Sequence, residues 1–342
     1  MHKLLSLLAL SIFIISCKQS SAPDVSDIHA DFEIIRTDVE LKNVHSKASL
    51  DSIYQKHPAF YSLFFNEITG MNTSKNPDTM YADLQEFMSD SMIISTYNLT
   101  DRKYNSLQDL HKDLESLFKY LQYYFPNRFE VPNIYTLISG FGYQTFIFED
   151  EKQSDAIGIG LDMFLSPEIP YKKIFPDNTN FSDYLTRSWS KPFIVKKVAD
   201  LYLEEINGES PGHRLLDYMI HNGKGLYITS LLLPEKNDTI IHEYTKEQMD
   251  WCYANELQMW SFFLDQKLFY ESNFKKIGKY IFPAPKSPDM PDAAPGRTGN
   301  FIGYQIVKAY MNRYPETTIE ELIRMTDSQQ FLEKSKYKPQ KK

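Results

Sequence analysis

The stretch with the clearest chemistry is His242-Glu243-Tyr244-Thr245-Lys246. A zinc peptidase places two histidines one helical turn apart, so that both imidazoles meet one metal while a glutamate between them serves as base. Here Lys246 stands at the second ligand position. An ammonium does not ligate near neutral pH unless its pKa falls by several units. The preceding Asp238-Thr239-Ile240-Ile241 reads as extended, so no helix is expected to present His242. A second constellation is His213, Asp217 and His221, evenly spaced at one-turn intervals. On one continuous helix these would form a column of metal donors. Gly212 and Gly223 bracket the segment, and the column reads equally as a solvated face. The reading adopted assigns no metal, no cofactor and no catalytic residue, with His213, Asp217 and His221 kept as the alternative metal set.

Arg297 is the other candidate. Within Pro295-Gly296-Arg297-Thr298-Gly299 it leads into a helix N-terminus, where backbone N–H groups favour an anion or carboxylate. Arg297, Gly296 and Gly299 are therefore the candidate residues for holding a partner or peptide. The alternative is that Arg297 pairs with a nearby acid and fixes its own loop. The acidic pairs Glu204-Glu205 and Glu320-Glu321 are adjacent on helices and point to different faces, which does not suit a cooperating acid and base. Cys252, between Trp251 and Tyr253, reads as an inert core thiol, since nothing around it would lower its pKa. There is no Gly-rich phosphate loop, no G-x-S-x-G and no pair of cysteine ligands.

The elements that must carry these residues are mostly helical by hydrophobic period. Phe32, Ile35 and Val39 make one stripe. Leu107, Leu110, Leu114, Leu117 and Leu121 make another, on a helix beginning near Ser106. Asn133–Ser139, Gln144–Phe148 and Ala156–Leu161 read as three short strands, and their tight spacing suggests an antiparallel meander. Pro192 opens a helix running to about Glu205. Glu247 to Tyr270 reads as the longest helix, followed by a proline-rich loop from Pro283 to Pro295. Gly299 to Met311 forms a helix whose Gly299 and Gly303 let another backbone approach closely. Thr318-x-x-Glu321 is a capping box. The expected class is α+β, predominantly α-helical, with a small antiparallel sheet.

The N-terminus reads as a lipoprotein leader. Met1-His2-Lys3 is a short positive start, and an apolar run from Leu4 to Ile15 follows. That run is too short for a permanent membrane span, which needs about 20 apolar residues, and fits a signal-peptide core. Ile14-Ile15-Ser16-Cys17 has the arrangement of a lipobox, with Cys17 the thiol that takes the lipid. The expected organisation is a signal peptide over 1–16, a lipidated cysteine and tether over 17–27, and one globular domain over 28–342. Acyl chains contribute roughly 0.8 kcal/mol per buried CH₂, enough for two or three to hold a protein on a membrane. Which of the envelope membranes carries it is left open. Without Lys3 the chain has 36 basic and 45 acidic residues. That acidic balance argues against a nucleic-acid partner. With Cys17 consumed by acylation, Cys252 has no partner for a disulfide.

Several longer segments carry a family resemblance. Leu233–Asp238, YTKEQMDWCYANELQMW from Tyr244 to Trp260, Gly223–Tyr227, APGRTGNFIGYQIVKAYM from Ala294 to Met311 and LEKSKYKP from Leu332 to Pro339 together resemble the gliding motility lipoprotein GldB family of the Bacteroidetes. The resemblance runs from about Phe32 to the C-terminus. It implies a membrane-anchored protein of the cell envelope, facing the periplasm, whose partners are proteins of gliding motility and of type IX secretion. It further implies a distant similarity to predicted zinc peptidases that bear HExxH on a helix after a small sheet. The corresponding helix here, Pro192 to Glu205, contains no histidine. The position of a later acidic ligand falls at Gly223-Lys224-Gly225. The resemblance thus implies a zincin-like scaffold without its metal, acting as a non-catalytic binding component. The alternative is an envelope metallopeptidase or other hydrolase with an atypical site.

Overall fold

Four short strands form one sheet: β1 (Ile34–Ile35), β2 (Asn133–Leu137), β3 (Thr145–Glu149) and β4 (Asp155–Gly160). The structure is a computed structural model and describes residues 22–71 and 77–339. Residues 1–16 and Cys17 lie outside the described residues. The spatial order is β1-β2-β4-β3, with β1–β2 and β2–β4 parallel and β3–β4 antiparallel. The expected antiparallel meander is therefore replaced by a mixed sheet. Burial explains the order. β2 and β4 are buried almost throughout and occupy the centre, while β3 has alternating exposure and takes the edge. Glycines in β4 favour this placement, because a side chain at Gly158 would collide with the Phe146 ring lying across it. β1 was not foreseen: its Ile35 belonged to an expected helical stripe and instead pairs with Tyr135.

Helices cover both faces of the sheet. α1 (Thr37–Lys42), α2 (Lys47–Lys56), α3 (Pro58–Leu63), α4 (Pro77–Ser89) and α5 (Ser91–Lys103) come before β2, as does α6 (Gln108–Tyr124). Phe60, Phe64 and Leu84 pack with Tyr135 and Leu137 on one face. Leu114, Leu117 and Phe118 pack with Ile134, Ile157 and Ile159 on the other. After β4 come two short helices, α7 (Tyr171–Ile174) and α8 (Asp183–Thr186). They are followed by α9 (Ile194–Asn207), entered through a 3₁₀ turn at Lys191–Phe193 that contains the anticipated Pro192.

The C-terminal half is built around α10 (Leu215–Leu232). Its Ile228 and Leu232 reach the sheet-side core, and its Leu215, Leu216 and Met219 belong to a second core. Around it lie α11 (Asp238–His242), α12 (Lys246–Ala254), α13 (Glu256–Asp265), α14 (Phe274–Ile281), α15 (Thr298–Arg313), α16 (Ile319–Arg324) and α17 (Ser328–Ser335). α10 and α15 touch backbone to backbone. A Cβ on Gly303 would lie 1.8 Å from the Met219 carbonyl oxygen, and one on Gly223 would lie 2.3 Å from the Gly303 carbonyl carbon. The anticipated Thr318–Glu321 capping box is formed.

Three boundaries differ from expectation. The segment Glu247–Tyr270 is not one helix but breaks at Asn255, whose side chain donates to the Trp251 carbonyl at 2.8 Å and competes with the helical ladder. Asp238–His242 is helical, not extended, because Asn237 caps its first turn by accepting from Ile240 N–H. The tether is also shorter than 17–27. Ala22 and Val25 already pack on the sheet-side core, and the Tyr120 hydroxyl donates to the Pro23 carbonyl at 3.3 Å.

Candidate functional site

α11 ends in a residue with unusual backbone. Glu243 adopts the left-handed conformation, φ 52° and ψ 42°, which stops the helix and turns its side chain inward. Its side chain is only 10% exposed, and cations from two other elements converge on it. Lys197 Nζ stands 2.5 Å from the carboxylate, Arg297 Nη1 3.3 Å and Lys196 Nζ 3.6 Å. Lys196 is also paired with Asp200, one turn along α9, at 2.7 Å. Arg297, itself left-handed at φ 66°, donates a further hydrogen bond to the His242 carbonyl at 2.9 Å. Its guanidinium lies over the Tyr244 ring, 5.6 Å from the centroid. Arg187, just beyond α8, donates through Nε to the Glu243 carbonyl at 3.2 Å.

The electrostatics follow from this crowding. Burial alone would raise the Glu243 pKa, but Lys196, Lys197 and Arg297 outweigh it and hold the carboxyl well below its usual range. Burial likewise works against the Lys196 charge, and Asp200 with Glu243 overcomes it and raises that pKa. His242 has no such compensation. Burial, then Arg297, Lys196 and Lys308, push its pKa down to about 3, and among the described residues its Nε2 has no hydrogen-bond partner. The ring sits among Tyr244, Phe301 and Tyr304 as a neutral aromatic. Arg187 is lowered, first by burial and then by the facing Arg297.

A cavity of about 180 Å³ opens beside this cluster. Arg187, Lys197, Arg297 and Glu243 supply its charged wall, and Trp189 and Pro283 line its apolar side. Gln144 completes the polar wall, with its Nε2 buried and, among the described residues, without a partner. The loop that delivers Gln144 is fixed by Asp162, which is fully buried. Its carboxyl accepts from Ser139 N–H at 3.0 Å and from Phe141 N–H at 2.6 Å. Burial raises the Asp162 pKa to about 6 against the pull of those donors.

The residues singled out in the sequence are distributed unequally. Arg297 lines the cavity and is at the same time paired with an acid, Glu243. Gly296 and Gly299 are not on the cavity wall. A Cβ on Gly296 would meet the Ala284 carbonyl oxygen at 2.4 Å and one on Gly299 the Tyr280 carbonyl oxygen at 2.8 Å, so both are close-approach positions that seat the loop. His213, Asp217 and His221 are not brought together. His213 is exposed ahead of α10, Asp217 is paired with Arg214 at 2.7 Å, and His221 lies against Asn207. Among the described residues no group of three or more His, Cys, Asp or Glu side chains is placed to hold a metal ion. Cys252 is fully buried, and burial pushes its thiol pKa up. Lys196, Lys197, Arg187 and Gln144 were not foreseen. Two adjacent lysines inside PFIVKKVADLYL, which is otherwise uncharged except for Asp200, were the one available signal.

Residues 18–339 match the family model described as gliding motility protein GldB. No curated protein and no solved structure matches the chain significantly. No described helix is long and apolar enough to cross a membrane.

Proposed function

The chain belongs to the GldB family of gliding motility lipoproteins, and from that membership we propose that it is a lipid-anchored, non-catalytic component of the cell envelope. In this reading it holds partner proteins of the gliding apparatus and of type IX secretion. The observation that carries the binding role is the cavity beside Glu243, whose wall presents Arg187, Lys197 and Arg297 to the outside. A buried like-charge arrangement of this kind destabilises the free protein and suits recognition better than packing.

The same site supports a non-catalytic role. A carboxylate held far below its usual range by three cations is a weak general base. The neighbouring imidazole is neutral, fully enclosed and out of reach of the cavity. The proposed descent from a zincin-like scaffold draws support from α9. That helix follows the sheet and packs on β3 and α10. Where a zinc helix would carry two imidazoles one turn apart, α9 carries the Lys196–Asp200 ion pair.

Deletion of the gene in a gliding host, scored for colony spreading and for secretion, tests the role. The reading expects both to fail and to return with the wild-type gene. Unchanged spreading and secretion would overturn it.

A further inference from the structure

The charges on the cavity wall do not balance. Lys196 and Asp200 satisfy each other at 2.7 Å. Arg187, Lys197 and Arg297 then face Glu243 alone, a surplus of two positive charges among the residues lining the cavity. Arg187 is the unaccounted member. Its Nε serves a backbone carbonyl, and among the described residues no carboxylate pairs with its guanidinium. Burial and Arg297 both act to lower its pKa, so holding the charge there is unfavourable. The buried Gln144 Nε2, without a partner among the described residues, is one further donor in the same wall.

We propose that this cavity is a receptor for a doubly charged oxyanion of the phosphate class, gripped by the guanidinium of Arg187 with Arg297 and Lys197. A dianion matches the surplus of two, whereas a carboxylate would leave one charge uncompensated. A planar guanidinium offers two parallel N–H donors to such a group, and a hydrogen bond to an ionised acceptor is roughly twice as strong as a neutral one. The cavity of about 180 Å³ takes the oxyanion and the first atoms attached to it. The ligand is therefore either free phosphate or a terminal phosphate monoester. This inference rests on reading the cavity as the binding site.

The test is calorimetric titration of the full chain, solubilised in a maltoside detergent that itself carries no phosphate. Inorganic phosphate, glycerol 3-phosphate and acetate are compared at equal ionic strength. Saturable phosphate binding with a Kd below about 1 mM, and none with acetate, is expected. Tighter binding of glycerol 3-phosphate would identify the monoester, and tighter binding of the free ion would identify phosphate itself. Arg187→Gln should weaken binding by about tenfold or more, while its Tm without ligand stays level or rises, because a cation facing Arg297 is gone. If that variant does not fold, Lys197→Met should show the same loss of binding. Acetate binding as well as phosphate, or phosphate binding unchanged in both variants, would overturn the proposal. Absent phosphate binding together with lost gliding in Arg187→Gln would retire the oxyanion and keep the partner-binding role. Phosphate binding together with normal gliding in that variant would do the reverse.

Discussion

Replacing Glu243 by glutamine isolates the charge at the centre of the site while keeping its shape. The carboxylate has cations at 2.5, 3.3 and 3.6 Å, and among the described residues only Lys196 of the three has a second carboxylate to turn to. Removing one partner from a buried pair costs about 3–5 kcal/mol. Lys197 is 19% exposed and recovers some solvent through the cavity, which places the expected loss at the low end, about 3 kcal/mol. For a chain of 342 residues an unfolding entropy of about 2.1 cal/mol/K per residue gives about 0.7 kcal/mol/K. The melting temperature should therefore fall by about 4 °C at pH 7. Scanning calorimetry of both proteins measures this directly. Lys197→Met in the Glu243→Gln background should then cost less than in wild type, by about 1 kcal/mol or more, because the lysine it removes has already lost its partner. A fall of less than about 1 °C, or additive single and double variants, would mean that Glu243 is not what holds these cations.

Other outcomes follow from the same physical picture. His242 has a folded pKa near 3 against 6.5 for the free side chain, so the unfolded chain takes up its proton first as pH falls. Its stability contribution is complete above pH 6.5 and is lost below it at about 1.4 kcal/mol per pH unit, or about 2 kcal/mol by pH 5. Glu243, depressed in the fold, adds its own loss only below about pH 4.5. The raised Asp162 carboxyl works the other way over the same window, since the fold takes up its proton first, so the test is the difference between proteins. In melts at pH 7 and pH 5, wild type should lose about 2 kcal/mol relative to His242→Leu over that interval. Gly303→Val drives a side chain into the Met219 carbonyl and should cost about 3 kcal/mol or more, seen as a lower denaturation midpoint. Cys17→Ala should move the chain from the membrane fraction to the soluble one on cell fractionation, since no acyl chain would hold it.

Much of the helical scaffold was legible because its signals are local. The leucine stripe of α6, the Thr318–Glu321 box and the one-turn spacing of Gly299 and Gly303 are each written in residues within a few turns of one another. The strand segments were equally readable, but their order was not. Whether β2 pairs with β3 or β4 is decided by which strands are buried on both faces, and that depends on helices more than a dozen residues away. α11 was misread because the β-branched Thr239-Ile240-Ile241 favours an extended chain, whereas the Asn237 cap and the tertiary packing of Ile241 favour a turn of helix. The site was legible only in pieces. Arg297 and Glu243 each drew notice, yet 54 residues separate them, and nothing local announces that they meet. Arg187 sits in an ordinary polar loop, and that no carboxylate among the described residues pairs with its guanidinium is a property of three-dimensional arrangement alone.

The central claim, that this lipoprotein serves gliding through the cationic cavity beside Glu243, is tested most directly by complementation. A deletion strain would receive either the wild-type gene or Arg187→Gln combined with Lys197→Met, with membrane abundance of each protein measured in the same cells. The account predicts that the double variant reaches the membrane, at an abundance lowered by loss of the Lys197–Glu243 pair, and leaves colonies non-spreading, while wild-type protein expressed down to the same abundance restores spreading. Normal spreading with the double variant would contradict it.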